Sequence, residues 1–141
     1  MAQSPHSVNF ESHRPVVMGR NGMVSSGHPL ASQAGISILQ QGGNAVDAAI
    51  ATAAALNVVE PLMSGIGGDG FIMVHWKESD RIEICNGTGA APYAATRDRY
   101  LPEGIPTKGI LSVSVPGLLD SWLALASQPA FRLAGPGQGG K

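Results

Sequence analysis

The sequence of 141 residues is poor in aromatic side chains, charges and cysteine. Aromatic residues make up only 5% of the chain and charged residues 13%, and the formal net charge is -1. A balance this close to neutral gives no electrostatic reason to expect nucleic acid or an anionic membrane as a partner. The single cysteine, Cys85, excludes a disulfide within the chain and leaves the cellular compartment open.

Long hydrophobic runs are also missing. No apolar stretch reaches the roughly 18 uninterrupted residues that a membrane helix needs, and residues 1–10 lack the basic start and apolar core of a signal peptide. We therefore expect a cytoplasmic protein with no membrane partner. No set of His, Cys and acidic residues has the spacing of metal ligands, so we expect neither a metal nor another cofactor.

Glycine, by contrast, is abundant, and its densest cluster is Ser64–Phe71. Gly65, Gly67 and Gly70 satisfy the pattern G-x-G-x-x-G of dinucleotide-binding loops. That loop works when it follows a strand and opens a helix, whereas here a helical pattern precedes it and a strand pattern follows. The order of elements argues against nucleotide binding and favours a turn that lets a helix and a strand pack closely.

The regular patterns predict an α+β fold in which helices pack on a partial antiparallel sheet. Apolar residues at helical spacing predict a helix over about 29–41, ended by two glycines. Asn44 caps a second helix over 45–59, which is apolar all round and therefore expected to be buried between layers. Segments 71–77 and 81–86 have the composition and alternation of two antiparallel strands.

Other segments carry weaker patterns. Segments 16–18 and 22–25 predict a hairpin, and 110–115 predicts a third strand. A short helix is expected within 94–100, and a final helix over 116–126 with large apolar residues on one face.

Changes in composition divide the chain into three parts. Residues 1–15 are polar and predict a flexible leader, and residues 16–126 form a partial domain. From residue 127 glycine and proline dominate and no periodicity survives, which predicts a disordered or frameshifted tail. Small side chains leave few large residues to anchor an independent core, so the domain is expected to be a layer that needs a partner.

A series of motifs stands in a fixed order along residues 16–126. They are Gly22–Ser32, Gln41–Ala49, Glu60-Pro61 running into Ser64–Gly68, Ala91-Pro92 with Ala95–Asp98, and Ser114–Gly117. In content and order they resemble the γ-glutamyltranspeptidase family, specifically the N-terminal part of its large subunit. The ordered set is far more specific than any one of the motifs.

The resemblance implies an N-terminal nucleophile hydrolase with a four-layer αββα sandwich. Such proteins are made as precursors that cleave themselves into a large and a small subunit. The nucleophile is the threonine at the new N-terminus of the small subunit, with its own α-amine as general base. It follows that this chain holds no catalytic residue and is inactive alone. Its expected partners are the missing C-terminal subunit and a γ-glutamyl or other acyl-amide small molecule.

One motif departs from the family pattern. The γ-glutamyl enzymes carry the motif Asn-x-Arg-Glu-x-Ala-Pro, and its arginine binds the α-carboxylate of the substrate. The corresponding segment here is Asn86–Pro92, which has Thr88 at the arginine position. A hydroxyl cannot replace a guanidinium that binds a carboxylate through two hydrogen bonds. Asp69 stands where those enzymes usually have glycine. We therefore identify Thr88, Asn86 and Asp69 as candidate substrate-binding residues and expect the acylase-like branch, with another acyl group.

Simpler interpretations stay open beside these. Thr88 is equally well explained as a loop hydroxyl without a ligand. His28, two residues after Ser26 in the motif, is better explained as a helix cap than as part of a catalytic pair. His75 is expected at a surface or interface, and Cys85 as a small buried apolar residue. At the level of the whole chain, the alternative is a stand-alone binding module that kept this layer without the chemistry.

Overall fold

The computed structural model describes residues 16–127. The predicted leader, 1–15, and the predicted tail beyond Ser127 lie outside the described residues. Within them the elements are α1 (Pro29–Gln40), α2 (Ala45–Val59), β1 (Phe71–Trp76), β2 (Arg81–Asn86), α3 (Arg97–Tyr100), a 3₁₀ turn (Ile110–Ser112) and α4 (Leu118–Ser127). The α+β class predicted from the sequence is confirmed.

Side-chain caps fix where the first two helices begin. His28 Nδ1 accepts a hydrogen bond of 3.2 Å from the N–H of Leu30, which confirms His28 as a cap. At α2, Asn44 Oδ1 accepts from the N–H groups of Val46 and Asp47, and the Asp47 carboxylate accepts from the Asn44 N–H at 3.0 Å. This reciprocal capping box satisfies orphan donors at the helix start, so the predicted bounds of α2 are confirmed.

The two long helices pack against each other through small residues. Ala31 and Gly35 form the buried face of α1, and Thr52 is buried on α2, where its hydroxyl donates to the carbonyl of Ala48 at 2.7 Å. A Cβ atom at Gly35 would overlap the Thr52 hydroxyl and lie 3.1 Å from the Ala48 carbonyl oxygen. The missing side chain at position 35 therefore sets how closely the helices approach.

The strands form an antiparallel hairpin whose inner face packs on α2 and α4. Opposed residues run from Phe71 with Asn86 to Trp76 with Arg81. The core between hairpin and helices is centred on Val46 and Leu125, with partly buried residues packed against them, namely Ile50, Ile72, Val74, Trp76 and Cys85. Cys85 is thus a partly buried apolar residue, as its sequence context predicted.

The outer face of the hairpin is apolar and open in the described part of the chain. Its large side chains are exposed: Phe71 by 73%, Met73 by 69%, Ile82 by 59% and Ile84 by 65%. The sequence predicted that α2 is buried between layers, but within residues 16–127 only Val46, Ala48 and Thr52 are buried on it. Residues 16–127 contain one hairpin and three longer helices, so no further layer covers the remaining faces.

Two predicted pieces of sheet are absent from residues 16–127. Segment 16–25 forms no hairpin; it is irregular, and Val24 lies against α1 close to Gly35. In segment 110–115 the predicted strand is replaced by the 3₁₀ turn, stabilised by the Ser112 hydroxyl donating to the Gly109 carbonyl at 2.7 Å. Both sequences have strand composition, but no neighbouring strand is present to pair with them.

Replacing Gly35 by alanine should destabilise the chain. A Cβ atom gains about 1 kcal/mol of helix propensity, but it enters a contact bounded by the backbone of α2, where overpacking costs about 1–3 kcal/mol. We expect a net loss of up to about 2 kcal/mol in the free energy of unfolding, measured in urea. Gly65→Ala is the matched control, because no atom lies within 4 Å of a Cβ there; equal losses in both variants would contradict the close-packing argument.

Candidate functional site

The glycine loop after α2 is tied to the end of the hairpin. The Ser64 hydroxyl donates to Asn57 Oδ1 at 2.6 Å, which fixes the start of the loop on α2. At its other end the Gly87 N–H donates to the Gly70 carbonyl at 2.8 Å. Pairing therefore continues one step beyond Phe71 and Asn86, the last pair of the ladder.

A third segment, the start of α4, is hydrogen-bonded to the same glycine loop. The N–H groups of Gly117 and Leu118 both donate to the Gly68 carbonyl, at 3.1 and 3.2 Å. These are donors that a helix start leaves unsatisfied. We call the meeting point of these segments the glycine junction, and it comprises Gly68, Gly70, Gly87, Gly89 and Gly117.

The junction requires residues without side chains. A Cβ atom at Gly87 would lie 2.7 Å from Ser121 Oγ and 2.9 Å from the Gly70 carbonyl oxygen. At Gly117 it would overlap the Gly87 carbonyl oxygen, and at Gly89 it would overlap the carbonyl oxygen of Val115. Gly87, Gly89 and Gly117 thus allow contact between backbones, whereas a Cβ atom at Gly65 or Gly67 of the G-x-G-x-x-G pattern would meet no atom within 4 Å. The close packing that the sequence predicted for the glycine loop therefore depends on glycines of the segments that contact it.

The three candidate substrate-binding residues lie around this junction. Asn86 Oδ1 accepts a hydrogen bond of 3.0 Å from the Thr88 N–H, which sets the turn of the loop. If the register of the ladder is carried two residues further, Asp69 falls opposite Thr88. Side chains alternate between the faces of a strand, so this register assigns Asp69, Asn86 and Thr88 to the outer face with Phe71. All three are exposed.

The chemistry that these side chains offer is recognition. Within residues 16–127 the Asp69 carboxylate has no ion pair and the Thr88 hydroxyl no hydrogen bond. The group therefore presents one negative charge, one hydroxyl and one amide to the outer side of the sheet. It holds no nucleophile with a neighbouring general base, so it can bind part of a substrate but cannot by itself break an amide bond.

The remaining histidine lies at the opposite end of the hairpin. His75 Nε2 and Asp80 Oδ1 are 2.9 Å apart, and both side chains are exposed, which agrees with the surface position expected for His75.

No cluster of three or more His, Cys, Asp or Glu side chains that could hold a metal occurs in the described part of the chain. Over the same residues, no helix has both the length and the apolar character required to span a membrane.

The sequence did not predict that the start of α4 belongs to the site. Gly117 and Leu118 reach the glycine loop through backbone hydrogen bonds, which leave no pattern of side-chain types. The available signal was Pro116-Gly117 directly before a helical pattern, because a glycine there both suits the start of a helix and lets another backbone come close. Ser121, beside Gly87, lies one turn further along the same helix.

Comparison with known proteins identifies the family. The family model described as gamma-glutamyltranspeptidase matches residues 31–128, which is more than half of the chain. The chain belongs to the γ-glutamyltranspeptidase family. The recognition made from the motifs is thereby confirmed.

Relatives include both hydrolase and acylase members. The chain is 45% identical over 119 residues to a glutathione hydrolase proenzyme of Bacillus subtilis (strain 168), covering 79% of this chain and 20% of that protein. The crystal structure of cephalosporin acylase from Bacillus halodurans superposes with a TM-score of 0.73 and 44% identity, covering 89% of this chain and 24% of that one. For the γ-glutamyltranspeptidase of Helicobacter pylori the TM-score is 0.71 and the identity 34%, covering 79% and 34%.

These matches confirm the fold as part of the family's architecture. This chain spans between a fifth and about a third of the length of these three relatives. Because the identities to the glutathione hydrolase and to the cephalosporin acylase differ by one percentage point, overall similarity does not separate the two branches. The placement in the acylase-like branch stays a prediction that depends on individual residues of the site.

Replacing Gly117 by alanine should disrupt the glycine junction. The added Cβ would overlap the Gly87 carbonyl oxygen and lie 2.9 Å from the Gly89 nitrogen, and neither backbone can move without displacing Thr88. We expect a loss of about 1–3 kcal/mol in the free energy of unfolding, measured in urea. Gly67→Ala, where a Cβ meets no atom within 4 Å, should change stability by less than about 1 kcal/mol. Equal effects would show that the junction is not close-packed.

Proposed function

We propose that this chain is the substrate-recognition part of the large subunit of an N-terminal nucleophile hydrolase that hydrolyses or transfers an acyl group held in an amide bond. Family membership supports this proposal, and so does the name of the Bacillus subtilis relative, a proenzyme, which describes a precursor that is processed. A cytoplasmic location stays a prediction from the sequence alone.

The nucleophile of this reaction comes from the second subunit. Its N-terminal threonine attacks the acyl carbonyl carbon, and the α-amine of the same residue takes the hydroxyl proton. The amine of the substrate leaves with a proton, and an acyl-enzyme ester remains. Water or an acceptor amine then attacks the ester and releases the acyl group. Asp69, Asn86 and Thr88 act in this scheme by orienting the acyl group, which lowers the entropic cost of reaching the attacking hydroxyl.

The observation that carries the choice of acyl group is the pair formed by Asp69 and Thr88. Asp69 precedes β1 and Thr88 follows β2, and the register of the ladder, carried two residues further, sets them opposite each other. A carboxylate on the substrate at this place would meet the Asp69 charge with no guanidinium from position 88 to compensate. We therefore propose an acyl group that carries no free α-carboxylate there.

A series of p-nitroanilides tests this on the complete processed enzyme that contains this chain. The 4-aminobutanoyl anilide lacks the α-carboxylate of the γ-glutamyl anilide, and the butanoyl anilide lacks the amine as well. We expect kcat/KM for the γ-glutamyl anilide to be below that for an acyl group without a carboxylate. Equal or faster turnover of the γ-glutamyl anilide would reject the proposed acyl preference, and no turnover of any acyl amide would reject the enzymatic function.

Substituting Thr88→Arg should shift the preference toward γ-glutamyl substrates. A charge-assisted contact between a guanidinium and a carboxylate contributes about 1.5–3 kcal/mol. We expect kcat/KM for the γ-glutamyl anilide to rise about 10- to 100-fold and that for the butanoyl anilide to stay unchanged or fall.

The matched control is Thr88→Lys, which adds the same charge without the planar pair of donors. Its gain on the γ-glutamyl anilide should be smaller than that of the arginine variant. A rise of equal size on both anilides, or none with either variant, would show that position 88 does not contact the acyl group.

A further inference from the structure

Two asparagines of the sequence are followed directly by glycine, in the pairs Asn21-Gly22 and Asn86-Gly87. The backbone nitrogen of the residue after an asparagine can attack the carboxamide carbon of that asparagine and close a five-membered ring. Glycine has no side chain to hinder this attack, and its backbone rotates freely toward the carboxamide. Both pairs therefore have the same intrinsic reactivity, and the structure around each glycine nitrogen decides which pair reacts.

The nitrogen of Gly87 is bound in the glycine junction. Its N–H donates to the Gly70 carbonyl at 2.8 Å, and Gly87 itself is buried. The Asn86 carboxamide is engaged as well, because its Oδ1 accepts from the Thr88 N–H at 3.0 Å. Ring closure at Asn86 requires that the nitrogen leave its hydrogen bond and become accessible to base, so it requires a local opening of the junction.

The nitrogen of Gly22 has no such restraint within residues 16–127. Asn21 and Gly22 are both exposed and lie in the irregular segment before α1. The Gly22 N–H donates to no other backbone group of the described residues. Attack on the Asn21 carboxamide therefore needs no helix, strand or junction to open.

We propose that Asn21-Gly22 is a site of spontaneous deamidation in the folded protein, and that the hydrogen bond between Gly87 and Gly70 protects Asn86 from the same reaction. The Gly22 nitrogen loses its proton and bonds to Asn21 Cγ, and the carboxamide nitrogen leaves as ammonia. Water then opens the succinimide ring at either of its carbonyl carbons. The reaction uses only atoms of this chain and water, so it is independent of the proposed function.

The products carry one more negative charge than the original chain. Opening the ring at one carbonyl gives aspartate, and opening it at the other gives isoaspartate, whose backbone runs through the former side chain. Isoaspartate adds one carbon to the backbone of a segment that packs on α1, where Val24 lies close to Gly35. Converted molecules are therefore separable by charge, and the isoaspartate form is also distinguishable by its backbone fragmentation.

The two pairs differ in what their conversion would change. A Cβ atom at Gly22 would lie 3.4 Å from Leu39 Cδ1, so the first pair is beside the end of α1, close to the turn that leads into α2. The glycine loop follows the opposite end of α2 and is fixed there through Asn57. Conversion of Asn86, by contrast, would place a new carboxylate among the three candidate substrate-binding residues.

Peptide mapping by mass spectrometry tests this on the complete protein that contains this chain. The folded protein is kept at mildly alkaline pH, which favours deprotonation of the attacking nitrogen, and the converted fraction at each pair is followed over time. We expect Asn86 to convert at least about tenfold more slowly than Asn21, because Asn86 reacts only while the junction is open.

The same protein unfolded in urea is the control. There both asparagines should convert at similar rates, since each is followed by glycine and neither nitrogen is bound. Equal rates at the two pairs in the folded protein would overturn the proposal. Conversion of Asn21 that occurs only after unfolding would overturn it too.

Opening the junction by substitution gives an independent test. Gly117→Ala places a Cβ against the Gly87 carbonyl oxygen, so it should speed the conversion of Asn86 and leave the rate at Asn21 unchanged. Gly67→Ala is the matched control, because no atom lies within 4 Å of a Cβ there, and it should change neither rate. A Gly117→Ala protein that converts Asn86 as slowly as the original protein would overturn protection by the junction.

Discussion

The candidate site depends on the direct approach of three backbones at the glycine junction. Gly68 accepts two hydrogen bonds from the start of α4, and Gly70 accepts one from Gly87. Both residues that flank Asp69 are therefore held by hydrogen bonds, one to a helix and one to the hairpin. A side chain at Gly87 or Gly117 would separate these segments. The positions of Asp69, Asn86 and Thr88 thus follow from missing side chains at neighbouring residues more than from these three side chains themselves.

The sequence predicted those elements whose stability is local. A capping box defined the start of α2, composition predicted β1, and alternation of side chains predicted β2. Without knowledge of neighbours these bounds agree with the structure except at the end of β1, which is Trp76 where the sequence predicted 77. Segments 16–25 and 110–115 also have residues typical of strands but form no strand in the described residues. Strand formation needs a partner edge, and a single sequence does not show which edges are occupied.

The same distinction applies to the site. Asn86 and Thr88 are two residues apart, and the sequence alone placed them together. Asp69 could be placed opposite Thr88 only once the register of the hairpin was known. The contribution of Gly117 comes from a segment about thirty residues further along, joined through carbonyl and amide groups common to every residue. In the sequence, such backbone contacts can be recognised only from a glycine at a position where a larger residue would otherwise be tolerated.

The composition of the chain agrees with the surfaces that residues 16–127 leave uncovered, because both indicate an incomplete core. Aromatic residues are 5% of the sequence, and within residues 16–127 the large apolar side chains of the outer hairpin face are exposed while small ones line the gap over α2. A domain that completed its own core would bury the former and fill the latter. The large residues of the outer face and the small residues that line the gap over α2 are thus surfaces that residues 16–127 leave uncovered. Alternation of side chains, carried beyond the ladder, assigns Asp69 and Thr88 to the same outer face as the large residues. The polar candidate residues and the exposed apolar side chains therefore share one face of the hairpin, so anything that covers this face also changes the surroundings of position 88.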